Sequence, residues 1–220
     1  MKHLIITLLC LFFCVGIQAQ QVQEEQRSQT SVLFPTFKDA KIMQPFGRYV
    51  KAKANIFLKD GSLVYIDEKT NKVMRAYVKN ITGVVFEDSI RFMKVDSVMG
   101  RVVAQKGDNY LLRVTHVNMP LYREETDGGK GMDNFDMPDS NIFLNLDTQK
   151  RNDESGIPLM NTYYFNIKGI VIKANETQFK GFVGKDQMQA FKVLKENRFW
   201  SWKDEKSLKM LLDFLPEKIS

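Results

Sequence analysis

The chain has 220 residues, a formal net charge of +6, 44% hydrophobic residues and 26% charged residues. This composition is typical of a folded protein of one domain and excludes a disordered chain. The basic residues form no dense block interleaved with aromatic residues, so the sequence does not predict nucleic-acid binding.

Residues 1–19 have the layout of a secretory signal peptide. A basic start precedes an uncharged apolar run over 4–17, and Ala19 stands at a cut point before Gln20. The run is too short for a transmembrane helix, which needs about 20 apolar residues. The sequence therefore predicts export, a mature chain that begins near Gln20 and no transmembrane span.

Both cysteines, Cys10 and Cys14, lie within the apolar run, so the mature chain would have no disulfide and no Cys-ligated metal. Lipid attachment is the alternative, but Leu9 and Phe13 stand where such sites have a small residue. The one histidine that would remain is His116. It lies in a strand-like stretch, which favours a structural histidine with a backbone or solvent partner.

Residues 20–30 are polar and aperiodic, which indicates a flexible leader before a single domain over 31–220. The Asp60-Gly61 pair between two apolar segments is a strong hairpin signal, because glycine adopts a positive φ at little cost. The predicted strands cover residues 48–58, 63–66, 73–78, 81–86, 90–95, 98–104 and 110–117. Such short strands imply an antiparallel hairpin meander, as a sheet, a sandwich or an open barrel.

Residues 119–140 are rich in Gly, Asp and Pro and predict a long surface loop. Strand character resumes at 141–146 and at 163–173, and a turn then leads into 178–183. The acidic side chains in the loop are the candidate metal ligands: Asp127, Asp133, Asp136 and Asp139. Carboxylate oxygens suit calcium, but the spacing departs from the EF-hand pattern. The favoured interpretation is a solvated acidic loop, and no cofactor is predicted.

The last part of the chain changes to helical spacing and predicts a helical C-terminus over 184–216, with two short helices packed on the sheet. Asp204 is placed to cap the second helix, and Pro216 follows its end. The apolar stripe of this helix consists of Leu208, Leu211, Leu212 and Leu215. The fold class predicted is therefore α+β and mostly β, with two C-terminal helices.

Trp200 and Trp202, next to Phe199, are the candidate ligand-binding aromatics. Aromatic faces pair well with the apolar faces of sugars, but bulky aromatics at a helix–helix junction more often belong to the core. Glycoside hydrolysis needs only two carboxylates at the right separation, which a sequence does not give. No catalytic residue is identified, and the sequence favours a noncatalytic protein.

Several segments together resemble a poorly characterised group of exported Bacteroidetes proteins. They are the Ala19-Gln20 cleavage site, Phe57-Leu-Lys-Asp-Gly-Ser62, Val85-Phe-Glu-Asp88 and Trp202-Lys-Asp-Glu-Lys-Ser-Leu-Lys-Met-Leu-Leu212. The resemblance implies a β-rich fold with C-terminal helices, in the periplasm or on the outer surface of a Gram-negative bacterium. It supplies no activity and no functional residues.

Ser89 and Ser97 are candidate O-glycosylation sites. Asp88-Ser89-Ile90 and Asp96-Ser97-Val98 match the Asp-Ser/Thr-aliphatic acceptor used in exported Bacteroidetes proteins. Asp-Ser pairs also make good turns, so both interpretations stay open.

Two classes of function remain. The favoured one is an exported, noncatalytic binding or structural protein of the bacterial cell envelope, whose partner is an envelope protein or a glycan. The alternative is a carbohydrate-active module, either a lectin-like binder that uses Trp200 and Trp202 or a carboxylate-pair glycoside hydrolase. The sequence predicts no oligomeric state.

Overall fold

The computed structural model describes residues 26–125 and 156–215. The predicted signal peptide and the predicted strand at 141–146 lie outside these ranges. The four candidate metal ligands, Asp127, Asp133, Asp136 and Asp139, also lie outside them.

The described residues form one curled, antiparallel sheet of eleven strands with helices near the C-terminus, which confirms the predicted fold class. The strands are β1 (Arg27–Ser28), β2 (Lys38–Met43), β3 (Tyr49–Phe57), β4 (Ser62–Asp67), β5 (Lys72–Arg75), β6 (Gly83–Phe86), β7 (Ile90–Val95), β8 (Val98–Lys106), β9 (Asn109–Val117), β10 (Ile157–Ile167) and β11 (Ile170–Lys173). Their spatial order is β1-β10-β9-β8-β7-β6-β2-β3-β4-β5, with β11 paired to β10.

The predicted hairpin at Asp60-Gly61 is confirmed, since it joins β3 to β4. Gly61 has a φ of +75°, and a Cβ there would lie 3.1 Å from Cγ1 of Val114. A side chain at this position would therefore be strained by the backbone and crowded by β9, which lies across the curled sheet. The Asp60 carboxylate accepts a 2.9 Å hydrogen bond from the backbone N–H of Ser62, which further fixes the turn.

Strand β2 was not predicted, and its position changes the topology. It lies between β3 and β6, so the first strands do not form a simple meander. The chain returns from β5 to β6 through residues 76–82, and Ala76 and Ile81 of this crossover are buried in the same core cluster as Ala40 and Ile42 of β2. The crossover therefore covers one face of the sheet.

The sheet curls back on itself into a half-barrel. The carbonyl oxygen of Leu58 accepts a 2.8 Å hydrogen bond from Val117 N–H, and that of Gly61 accepts a 2.9 Å bond from Met99 N–H. The β3–β4 turn thus contacts β8 and β9, although three other strands separate β3 from β8 in the sheet.

The N-terminal segment lies against the sheet rather than apart from it. Arg27 and Ser28, within the predicted leader, pair with Pro158 and Ile157 of β10. Further along, Leu33 N–H donates a 2.9 Å hydrogen bond to the Ile56 carbonyl. The described end of the predicted leader is therefore part of the fold.

Four helices are described: α1 (Met119–Glu125), α2 (Glu176–Phe179), α3 (Met188–Glu196) and α4 (Glu205–Met210). Short 3-10 segments cover Pro45–Gly47, Val78–Asn80, Lys180–Phe182 and Leu211–Phe214. Helix α1 occupies the first residues of the predicted loop 119–140. The C-terminal helices begin at Glu176, earlier than the predicted residue 184, because the Asn175 side chain caps α2 by accepting a 2.9 Å hydrogen bond from Gln178 N–H.

The predicted C-terminal helix and its cap are confirmed. The Asp204 carboxylate accepts hydrogen bonds from Ser207 N–H at 2.8 Å and from Ser207 Oγ–H at 2.7 Å. Burial opposes ionisation of this carboxyl, but the hydrogen bonds from Ser207 outweigh it and lower the pKa of Asp204. The whole leucine stripe is buried against β10 and the other helices, together with three phenylalanines, in a cluster that we call the C-terminal core: Phe165, Phe179, Phe191, Leu208, Leu211, Leu212 and Leu215.

Candidate functional site

A surface groove lies where the C-terminal helices meet strand β10. It consists of two adjoining cavities with volumes of about 580 and 740 Å³. Trp202 and Lys203 line both cavities, so we describe them together as the Trp202 groove. Each cavity has a volume in the range of small-molecule sites, which are concave and combine apolar surface with a few fixed polar groups.

The two candidate tryptophans form one corner of this groove. Trp200 and Trp202 are half-buried, with ring centroids 4.9 Å apart and ring planes at 89°. Trp202 also packs edge-on against Phe179, at 6.0 Å between centroids. Both indole rings therefore rest on the C-terminal core and still line the groove. The core interpretation and the ligand-binding interpretation are compatible in this geometry.

The neighbouring Phe199 differs from the two tryptophans. Its side chain is 76% exposed, and the Arg198 guanidinium lies 4.5 Å from its ring centroid. Phe199 is absent from the described lining of both cavities. It is therefore a surface aromatic beside the groove.

The strand side of the groove carries amide and hydroxyl groups that the structure holds in place. Thr115 Oγ1 donates a 2.7 Å hydrogen bond to Asn161 Oδ1. The Asn161 amide then donates a 3.0 Å bond to Gln26 Oε1. Thr162, which follows Asn161, also lines the larger cavity, as does Asn118. The amides of Asn161 and Gln26 therefore offer donors and acceptors at fixed positions in the cavity that Trp202 also lines.

The side chain of His116, on strand β9, lies on the opposite face of the sheet from Asn161. Its Nδ1 lies 3.1 Å from the Val117 carbonyl oxygen, and its Nε2 lies 3.2 Å from Thr162 Oγ1. In a neutral imidazole, Nδ1–H donates to the carbonyl and Nε2 accepts from the threonine hydroxyl. The prediction of a structural strand histidine with a backbone partner is confirmed, and His116 also orients Thr162.

Tyr163 is a buried residue that is also part of the lining of the larger cavity. Burial raises the pKa of this phenol, and the Glu205 carboxylate raises it further, while Arg113 opposes both effects. Arg113 Nη1 donates a 2.9 Å hydrogen bond to Glu205 Oε2. Tyr163 therefore stays protonated at neutral pH and remains a potential hydrogen-bond donor.

The charges differ between the two ends of the groove. The smaller cavity is lined by charges of both signs, where Glu176 and Lys195 form an ion pair and Glu196, Lys192 and the shared Lys203 lie nearby. The charged residues of the larger cavity are Lys173 and Lys203, both exposed. Among the described residues, neither of these two lysines has a carboxylate within ion-pair distance. The larger cavity therefore favours a ligand that presents oxygen acceptors or negative charge.

The remaining candidate residues do not join this groove. Ser89 and Ser97 lie in exposed turns at opposite ends of β7, which confirms the predicted turns, while their glycosylation stays a prediction. Within residues 26–125 and 156–215, no group of three or more His, Cys, Asp or Glu side chains could hold a metal ion. No helix of these two ranges is both long enough and apolar enough to cross a bilayer.

Most of the groove could not be located from the sequence. The polar lining comes from residues far apart in the chain, Gln26, Asn118 and Asn161, and meets Trp202 only after the sheet has formed. The predicted strand began at residue 163, whereas β10 begins at Ile157. The one signal in the sequence was the pair of tryptophans.

Comparisons of the chain with protein-family models, with curated proteins and with solved structures find no match. The fold and the groove define a β-rich protein with an aromatic and polar surface groove. No relative contributes to the assignment of its ligand.

Proposed function

We propose that this chain is an exported, noncatalytic binding protein of the bacterial cell envelope and that the Trp202 groove holds its ligand. The observation that carries the proposal is the half-buried Trp202 ring in a groove that also contains the hydrogen-bonded amide of Asn161. An apolar face with a few fixed polar groups is the usual composition of a ligand site. A groove that is already held by internal hydrogen bonds also loses less entropy on binding.

A carbohydrate-active module is the second candidate. The same pairing of an indole face with amide donors and acceptors suits a sugar ring, which is apolar on one face and bears hydroxyls at its edge. The lectin-like form needs only the larger cavity. The hydrolase form would need two carboxylates, and Glu176 and Glu196 line the smaller cavity.

Intrinsic fluorescence tests the groove directly, because the chain contains two tryptophans and both line it. The probes are neutral oligosaccharides of glucose and of N-acetylglucosamine, and carboxylate-bearing peptidoglycan fragments. We expect the emission of the wild-type protein to shift on titration with a saccharide. Trp202→Ala should weaken binding roughly tenfold, equivalent to about 1.4 kcal/mol, because the stacking surface is lost.

Phe199→Ala is the matched control, since it removes an exposed aromatic directly before Trp200 without changing the described lining of the groove. It should bind as the wild type does. An emission spectrum that no probe alters would contradict the assignment of the groove. Release of reducing ends from an oligosaccharide, abolished by Glu176→Gln, would instead assign the hydrolase and contradict a noncatalytic protein.

Export is tested separately by sequencing the N-terminus of the protein purified from its native cells. We expect the mature chain to begin within a few residues of Gln20, because the basic start, the short apolar run and Ala19 match a cleavable signal. A chain that retains residues 1–19 would contradict export by cleavage. A lipid-bearing start at Cys10 or Cys14 would replace it with membrane anchoring.

A further inference from the structure

The turn between β2 and β3 has a backbone that its sequence does not favour. Phe46 has φ +63° and ψ +32°, and the following Gly47 has φ +72°. Gln44 N–H donates a 2.8 Å hydrogen bond to the Arg48 carbonyl across the turn. Two successive residues with positive φ are typical of a type I′ turn, where Asn, Asp or Gly is favoured at the first position.

Packing does not explain the phenylalanine. The Phe46 side chain is 94% exposed and therefore contributes almost no burial to the fold. The left-handed conformation is also unfavourable for a residue with a bulky side chain. Such strain persists where the surrounding structure imposes it, and it is concentrated at functional positions. The Phe46 backbone therefore opposes folding, and its exposed ring contributes nothing to offset that cost.

Other exposed apolar side chains lie at the same end of the sheet. Tyr49 and Val50 follow the turn in β3, and both are exposed. Tyr77, which is 66% exposed, belongs to the crossover between β5 and β6, and it lines a surface cavity together with Val50. We call these four residues, Phe46, Tyr49, Val50 and Tyr77, the Phe46 tip.

The two segments that form the Phe46 tip carry only positive charge. Residues 43–52 contain Arg48 and Lys51, and residues 76–82 contain Lys79, while neither segment contains Asp or Glu. Lys79 Nζ lies 6.0 Å from the Tyr77 ring centroid, so a cation and an aromatic ring are side by side. The acidic residues of the adjoining cavity belong to the β4–β5 hairpin instead.

We propose that the Phe46 tip binds the surface of an anionic lipid membrane, with the Phe46 ring inserted at the headgroup level. Aromatic side chains favour the membrane interface, and basic residues beside them are attracted to anionic lipids. A ring that projects from a tight turn can enter a lipid surface without rearrangement of the fold.

Co-sedimentation with lipid vesicles tests this proposal. The probes are vesicles of phosphatidylglycerol with phosphatidylethanolamine, which are anionic, and vesicles of phosphatidylcholine, which are zwitterionic. We expect binding to the anionic vesicles that weakens as salt is added, because surface charges are screened. Phe46→Asn should weaken this binding roughly tenfold, since the inserted apolar area is lost.

Asparagine is chosen because it suits the left-handed turn, so the variant should melt at or above the wild-type temperature. Phe199→Asn is the matched control, since Phe199 is also an exposed phenylalanine beside an arginine, and it should bind vesicles as the wild type does. Arg48→Gln should reduce the binding and its salt dependence together.

Equal binding of the wild type to both kinds of vesicle would overturn the electrostatic part of the proposal. If the Phe46→Asn variant binds vesicles as well as the wild type does, or if the wild type binds no vesicle, the membrane-binding proposal is overturned. Specific crosslinking from position 46 to a protein in the presence of membranes would assign the Phe46 tip to a protein partner instead. The proposal is independent of the Trp202 groove, because the Phe46 tip and the groove share no described residue.

Discussion

Leu211→Asp is expected to lower the free energy of unfolding by more than about 4 kcal/mol, which would leave little of the folded protein populated. Leu211 has no exposed surface and lies in the C-terminal core, on the 3-10 segment that continues α4. The substitution removes a buried aliphatic side chain, a change that alone costs about 2–5 kcal/mol when alanine replaces leucine. It also places a carboxylate among leucines and phenylalanines, where an unpaired charge is strongly disfavoured.

Met210→Asp provides the control, because the neighbouring side chain is 50% exposed. We expect it to change the free energy of unfolding by less than about 1 kcal/mol, mainly through an acid near the end of a helix. Urea unfolding followed by far-ultraviolet circular dichroism measures both variants. An unchanged midpoint for Leu211→Asp would show that the leucine stripe is an interface for a partner rather than core.

The packing of the C-terminal core also determines the shape of the Trp202 groove. Trp202 packs on Phe179, which in turn packs on Phe165 and Phe191. The aromatic wall of the groove is therefore an extension of the C-terminal core. A variant that loosens the core, such as Leu211→Ala, should weaken ligand binding without altering any residue that lines the groove.

Features encoded by neighbouring residues could be predicted from the sequence. The Asp60-Gly61 hairpin depends on one turn, and the C-terminal helix depends on the Asp204 cap and on leucines at helical spacing. Each of these signals lies within about a dozen residues of the chain. Long strongly patterned segments are the ones for which such reasoning is most reliable.

Strand β2 could not be predicted, because its pairing is nonlocal and its sequence is half charged. Lys38, Asp39 and Lys41 obscure the alternation, and the two buried positions are only Ala40 and Ile42. The strand is held by β3 on one side and by β6 on the other, and β6 follows some forty residues later.

Helix α2 could not be predicted either, because its sequence contains too few apolar residues to indicate a helix. Of its four residues only Phe179 is apolar, so the segment shows no apolar periodicity that would indicate a helix. The capping hydrogen bond from Gln178 N–H to Asn175 fixes the start of the helix locally. Burial of Phe179 against Phe165 and Phe191 then stabilises the helix through contacts that no local pattern encodes.

Asn55 was not singled out from the sequence, yet it fastens the N-terminal segment to the sheet. Its side chain is fully buried in β3. The amide donates to the carbonyls of Phe34 at 2.8 Å and Thr36 at 3.3 Å, and its oxygen accepts from Phe34 N–H at 3.0 Å and from Ile56 N–H at 2.8 Å. One side chain thus satisfies several backbone groups that have little access to water.

Asn55→Ala is therefore expected to lower the free energy of unfolding by about 2–4 kcal/mol, because it leaves backbone donors and acceptors of the 34–36 segment without partners. Asn80→Ala, at an exposed asparagine, should change it by less than about 0.5 kcal/mol. Urea unfolding of both variants gives the comparison. Equal midpoints for the two would show that water replaces the Asn55 hydrogen bonds and that the N-terminal segment is held by its apolar contacts alone.

Asn55→Asp tests the hydrogen bonds that the Asn55 side chain donates separately from those that it accepts. An aspartate at position 55 can still accept a hydrogen bond from Phe34 N–H. Once ionised, however, it cannot donate to the carbonyls of Phe34 and Thr36. Its negative charge is then repelled by the partial negative charge of those carbonyl oxygens. Burial should raise the pKa of the new carboxyl above its unfolded value of about 3.9. The folded state then binds more protons than the unfolded state, so stability should rise as the pH falls from 7 towards 4, opposite to the effect of an ion-paired aspartate. A variant whose stability does not rise relative to the wild type over this range would contradict the donor role assigned to Asn55.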